Sequence, residues 1–102
     1  MFVSLKIKIR QGNQFFKSKQ YESAIAKYKE ACAIDPNVPA YFSNTAACYE
    51  KLGNYSEMAK AGQECIRADR KFLKGYFRLA TAQKALGEYN GKFKFRFGSP
   101  FL

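Results

Sequence analysis

A period of 34 residues constrains the fold of this 102-residue chain more than any other feature. When the chain is shifted against itself by that period, residues of the same kind meet repeatedly. The matched sets are Tyr21, Tyr55 and Tyr89; Leu52 and Leu86; Gly53 and Gly87; the small residues Gly12, Ala46 and Ala80; and Asp35 and Asp69. A repeat of this length is typical of helical hairpins that stack into an array.

Within each repeat unit the apolar residues are spaced by three and four positions, as on one face of a helix. Turn residues separate these segments: Pro36 cannot continue a helix, and Gly53 and Gly87 tolerate the left-handed turn that follows one. The pattern predicts five helices, at about 4–18, 21–34, 39–52, 55–68 and 73–86.

The same spacing predicts how the helices pack. Gly12, Ala46 and Ala80 fall mid-helix, where a neighbouring helix is expected to cross closely. Larger aromatic side chains are expected to fill the core around these crossings, and the three cysteines to be small buried fillers. The aromatic residues are Phe15, Tyr28, Tyr49 and Tyr76, and the cysteines are Cys32, Cys48 and Cys65.

The two ends of the chain fit the repeat less well. Residues 3–10 alternate apolar and basic side chains, which is a strand pattern, whereas the array needs a helix there. We expect helix after about Leu5, with a frayed first turn. Residues 91–102 form a basic, aromatic tail outside the repeat. Either Phe93, Phe95 and Phe97 fold back to cover the last helix, or the sequence is a fragment or a wrongly predicted gene product. An array this short predicts low stability.

Charge and composition exclude several function classes. The chain carries 18 Lys and Arg against eight Asp and Glu, a net charge of +10, which favours acidic partners. It has no histidine and no paired cysteine spacing, so neither a metal site nor a disulfide framework is expected. With no signal peptide and no apolar segment long enough to span a membrane, a cytoplasmic setting is predicted. No catalytic motif or cofactor-binding loop is present, so no enzyme activity is expected.

The period, the two helices per unit and the small-then-aromatic spacing of Gly12 and Phe15 resemble the tetratricopeptide repeat (TPR). The resemblance implies an all-α array of antiparallel helix hairpins with about two and a half repeats. It places a TPR domain at 1–90, with units at about 5–38, 39–72 and a truncated 73–90. The chain departs from the family at Arg70, where proline is usual, and at Gly62, where an aromatic residue is usual.

The first helix of each unit lines the concave face of such an array. Asn44 and Arg78 are 34 positions apart and project equivalently, while Lys74 and Arg78 share one helical face. With Asn13, they place two amides, an ammonium and a guanidinium along one wall, with no carboxylate among them. These groups suit a peptide's terminal carboxylate.

This wall is similar to the dicarboxylate clamp of co-chaperone TPR domains, such as the heat-shock organising proteins. The resemblance implies that Asn13, Asn44, Lys74 and Arg78 hold the acidic Glu-Glu-Val-Asp tail of a cytosolic heat-shock 70 or heat-shock 90 chaperone. Phe16 and Ala47 are candidates for an apolar floor under the valine. The fifth clamp position, usually lysine, is Ile9, and its neighbours Lys8 and Arg10 point elsewhere on an ideal helix.

Two alternatives stay open at this stage. The array is a general scaffold for another acidic segment, or the basic, aromatic tail binds nucleic acid by stacking on bases. The second is the weaker alternative, because the tail is short and no nucleic-acid-binding motif accompanies it.

Overall fold

The computed structural model describes residues 2–90, with side-chain surroundings for residues 4–87. The described residues form five helices and no strand. They are α1 (Phe2–Lys17), α2 (Tyr21–Ile34), α3 (Pro39–Leu52), α4 (Tyr55–Ala68) and α5 (Leu73–Asn90). Each helix packs against the next one in the chain, and α3 also packs against α5. The predicted all-α array of helical hairpins is confirmed, and the predicted bounds of the three middle helices match those observed. The prediction for Phe93, Phe95 and Phe97 lies outside the described residues.

The turn chemistry explains why the middle helices end where the sequence predicts. Gly53 follows α3 with a φ of 74°, the left-handed conformation that glycine adopts without strain. The next residue, Asn54, caps α4 by accepting a hydrogen bond from the backbone N–H of Glu57 at 3.3 Å. Pro39 occupies the start of α3, where a missing N–H costs nothing. The carboxylates of Asp35 and Asp69 each accept a hydrogen bond from the backbone N–H two residues later in the chain. The turns that follow α2 and α4 therefore repeat the same hydrogen bond.

Both outer helices differ from prediction. The alternating pattern near the start suggested a frayed first turn, yet α1 begins at Phe2, because packing against α2 outweighs the period-two pattern. Gly87 was predicted to end the last helix near residue 86, but α5 continues to Asn90. A glycine inside a helix costs only about 1 kcal/mol, so Gly87 is a weak stop signal without a proline beside it.

The core consists of two clusters of buried side chains that Tyr49 joins by packing against both. The first cluster is formed by Ala24, Ile25, Tyr28 and Cys48, and the second by Ala46, Met58, Ala61 and Ala82. Gly12 lies at a close crossing as predicted, since a Cβ there would come within 2.6 Å of the Tyr28 ring.

Several core predictions are wrong. Tyr76 is 46% exposed and Ala80 is exposed, because α5 is the last helix in the part of the chain that the structure describes. Cys48 and Cys65 are buried as predicted, whereas Cys32 is only half-buried. Leu73 and Phe77, which are 78% and 62% exposed, extend the apolar face of α5.

Candidate peptide-binding groove

A cavity of about 340 Å³ opens where α1, α2, α3 and α5 come together. Its walls contain three of the four predicted carboxylate-binding residues and both predicted floor residues. The lining residues are Asn13, Phe16, Lys17, Tyr28, Asn44, Ala47 and Arg78. The structure therefore brings an amide from each of two helices to a guanidinium from a third.

The fourth predicted residue, Lys74, is exposed and does not line this cavity. It lies one helical turn before Arg78 on α5, so its charge acts from the same helix face. Two lining residues were not predicted as part of the site. Lys17 lies one turn after Asn13, and that four-residue spacing on α1 was the signal available in the sequence. Tyr28 was assigned only to the core.

Tyr28 holds the amide of Asn13 in a defined orientation. Its hydroxyl donates to Asn13 Oδ1 over 2.6 Å, from a side chain that is 2% exposed. Burial raises the pKa of Tyr28 to about 12, so the phenol keeps its proton at neutral pH. Because the amide oxygen is already occupied, the NH₂ group of Asn13 is left as a donor for a ligand.

Arg78 is held from two sides by α3. Its Nε donates to Ser43 Oγ at 3.4 Å, and its Nη1 donates to Glu50 Oε1 at 3.3 Å. A carboxylate that was not predicted therefore lies beside the guanidinium, although none is among the four predicted residues or the lining of the cavity. Ser43 and Glu50 are seven residues apart, which is two helical turns, so both face α5.

Ile9, at the position of the missing clamp lysine, lines an adjoining cavity of about 550 Å³ that shares Asn13 with the first. Its other walls are Leu5, Lys6, Arg10 and Tyr41. Arg10 thus approaches the groove, although an ideal helix predicted that it points elsewhere. Lys8 does point away, because its Nζ bonds to Glu30 Oε1 on α2 at 2.6 Å.

The groove is electropositive. Among the described residues, the cations that line or flank the two cavities take part in no ion pair except that of Arg78 with Glu50. The other cations are Lys6, Arg10, Lys17 and Lys74. Such a site attracts carboxylates and repels cationic segments.

No group of three or more potential metal ligands is found within residues 2–90. None of the helices in that range combines the length and apolarity needed to cross a membrane.

Comparison with known proteins identifies the array. A family model described as TPR repeat matches residues 12–53. The structure of the second TPR of Spaghetti (RPAP3) bound to the HSP90 peptide SRMEEVD is 32% identical in sequence. The match covers 93% of this chain and 87% of that one, with a TM-score of 0.78. The chain belongs to the tetratricopeptide repeat family.

In other relatives of this TPR domain, the matching region is one part of a larger protein. Hsp70-Hsp90 organizing protein 2 of Arabidopsis thaliana is 44% identical over 80 residues, which is 78% of this chain but 14% of the relative. The TPR2B domain of yeast Sti1, in a structure with pHsp70, is 28% identical with a TM-score of 0.79. That match covers 88% of this chain and 72% of that one. The TPR domain thus spans about one seventh of the length of such a curated relative.

Proposed function

We propose that this TPR domain is a co-chaperone-type interaction module that binds the acidic C-terminal tail of a heat-shock 70 or heat-shock 90 chaperone. The observation that carries the proposal is the convergence of Asn13, Asn44 and Arg78 on one cavity. Relatives with the same fold are bound to peptides that end in Glu-Glu-Val-Asp, which supports the same ligand class here.

Each residue has a distinct role in the proposed mode. The amides of Asn13 and Asn44 donate to the terminal carboxylate, and the guanidinium of Arg78 pairs with the aspartate side chain. Lys74 adds attraction from its exposed position on α5. Phe16 and Ala47 form the apolar floor for the penultimate valine.

The proposed domain extends over residues 1–90, in a cytoplasmic co-chaperone. We assign the domain no catalytic role, because its polar groups are arranged to hold a carboxylate and not to move protons or attack a bond. Chemistry in a longer parent protein would belong to another domain.

The test compares two ligands that differ only at the C-terminus. Isothermal titration with a peptide ending in Glu-Glu-Val-Asp should give at least about tenfold tighter binding than the same peptide amidated. Equal affinities would mean that the groove recognises acidic side chains anywhere in a segment, and would overturn the terminal-carboxylate proposal.

A charge-matched pair of variants separates the groove from general electrostatics. Lys74→Ala with Arg78→Ala removes two positive charges at the groove and should abolish measurable binding. Lys60→Ala with Arg70→Ala removes two exposed positive charges from elsewhere and should retain most of the affinity. Similar losses in both would indicate attraction by net charge alone.

A further inference from the structure

Glu50 places a negative charge inside the array beside the guanidinium proposed to receive the ligand. Its Oε1 lies 3.3 Å from Nη1 of Arg78, and the two side chains are 37% and 20% exposed. The pair is therefore partly shielded from water and salt, and its attraction is stronger than that of a fully exposed pair.

The other carboxylates that form ion pairs within the described residues are paired away from the groove cavity. Glu30 pairs with Lys8 and Lys27, Glu57 with Lys60, and Glu64 with Arg67. Glu50 is thus the carboxylate whose ion-pair partner also lines the groove.

We propose that Glu50 is an internal competitor for the ligand carboxylate at Arg78 and thereby sets the affinity and selectivity of the groove. This inference rests on the function proposed above. A guanidinium has five N–H donors, of which Arg78 directs two to Ser43 and Glu50. An arriving carboxylate either displaces Glu50 or binds beside it, and both cost free energy through lost pairing or like-charge repulsion.

The competition sharpens selectivity. A peptide that does not engage Arg78 leaves the Glu50 pair intact and gains nothing from displacing it. A peptide with several carboxylates near its end offsets the cost through its contacts with the amides and lysines. Glu50 therefore lowers the affinity of all carboxylate ligands. Peptides with few carboxylates, which bind more weakly from the start, lose measurable binding first.

Glu50→Gln is the decisive variant, because glutamine keeps the length and an oxygen acceptor for Arg78 while removing the charge. We expect about three- to tenfold tighter binding of the free-acid peptide in 50 mM salt, with a smaller gain at 300 mM. The amidated peptide should gain by a similar factor, since it keeps the aspartate side chain that pairs with Arg78 in the proposed mode.

Glu57→Gln is the matched control. It makes the same charge change at a side chain of nearly equal exposure, 38%, which pairs with Lys60 on another face. Its affinity should stay within about twofold of the parent protein. Circular dichroism melting of both variants checks that the fold is kept.

Three results would overturn the inference. Unchanged affinity in Glu50→Gln would mean that Glu50 does not compete, and weaker binding would mean that its charge positions Arg78 for the ligand. Equal gains in both glutamine variants would mean that only net charge matters. If the parent protein does not distinguish the free acid from the amide, the proposed function itself fails, and this inference falls with it.

Discussion

At the scale of single residues, the groove depends on a contact that joins the core to the binding surface. Tyr28 fills the space beside Gly12, where even a Cβ would collide with the tyrosine ring. The Tyr28 hydroxyl then donates a hydrogen bond to Asn13. The sequence predicted Asn13 and Tyr28 separately, one for the groove and one for the core. Their hydrogen bond was not predictable, because it requires the exact crossing of α1 and α2.

Replacing Tyr28 by phenylalanine should weaken peptide binding. Without the phenol, the Asn13 amide is free to rotate, and the loss of one hydrogen bond of about 1 kcal/mol corresponds to roughly fivefold lower affinity. Isothermal titration with the free-acid peptide measures this change. Tyr55→Phe alters a half-buried tyrosine outside the groove cavity and should leave the affinity unchanged. Equal losses in both variants would remove Tyr28 from the site.

Restoring the missing lysine should strengthen binding. Ile9→Lys adds an ammonium beside Asn13, and a charge-assisted hydrogen bond contributes about 1.5–3 kcal/mol, or at least tenfold in affinity. The change costs some stability, since Ile9 packs against the first core cluster.

Ile7→Lys is the control for that gain, because Ile7 is 42% exposed on the same helix and outside the cavity lined by Ile9. It should raise the affinity by less than about threefold through long-range attraction. The role assigned to position 9 is contradicted if the two lysines have the same effect.

At the scale of helices, α4 and α5 approach each other through Gly62. A Cβ at Gly62 would lie 2.9 Å from the backbone nitrogen of Leu79 and 3.1 Å from its Cα. This contact accounts for the glycine at a position where related repeats usually carry an aromatic residue. A larger side chain would force α5 away and carry Arg78 with it.

Gly62→Ala should therefore destabilise the protein although alanine is the better helix former. The propensity gain of about 1 kcal/mol is outweighed by overpacking against a backbone, typically 1–3 kcal/mol, and the groove should loosen as α5 shifts. Urea unfolding followed by circular dichroism gives the free energy of unfolding.

Gly75→Ala tests the same helix interface from α5. There the two nearest atoms belong to side chains, Ile66 Cγ1 at 3.0 Å and Cys65 Sγ at 3.1 Å, and the nearest backbone atom is Ile66 N at 3.2 Å instead of 2.9 Å. A smaller loss is expected. A stabilised Gly62→Ala protein would show that the α4–α5 approach is looser than described.

The sequence predicted helix positions best where turn residues specify both ends. Pro36, Gly53 and Asn54 fixed the limits of the middle helices, because each acts locally, the first two through backbone geometry and Asn54 through its side-chain cap. The exposure of Tyr76 and Ala80 follows from the truncated third unit, which the sequence also predicted, and not from a turn residue. A helix face is buried only if another helix covers it. The repeat spacing alone placed Tyr76 in the core, whereas within residues 2–90 the truncated third unit has no second helix to cover α5.

At the scale of the whole molecule, a buried thiol and a buried phenol make the free energy of unfolding depend on pH in the alkaline range. Burial raises the pKa of the Cys48 thiol from 9.0 to about 11, and that of Tyr28 from 10.0 to about 12. The folded protein holds both protons more tightly than the unfolded chain. Their contribution is complete below about pH 9 and is lost as the pH rises toward 12.

From these two groups the free energy of unfolding should fall by about 2–3 kcal/mol between pH 8 and pH 10.5, as measured by urea titration at each pH. The half-buried Cys32 thiol, whose pKa burial also raises to about 11, adds to that fall. Cys48→Ser removes the thiol while keeping a similar volume, and the fall should then be smaller by about 2 kcal/mol. A pH dependence identical to that of the parent protein would show that Cys48 does not contribute.

The packing of each helix against its neighbour in the chain has a consequence for how the protein is made. Contacts between sequence neighbours close short loops, so little chain entropy is lost before the first contacts form. Such low contact order favours folding in microseconds to milliseconds. A ribosome adds only about 5–20 residues per second, so each helix has time to pack against its predecessor once both have left the ribosome. The groove is then assembled last, when α5 brings Arg78 to helices that are already in place.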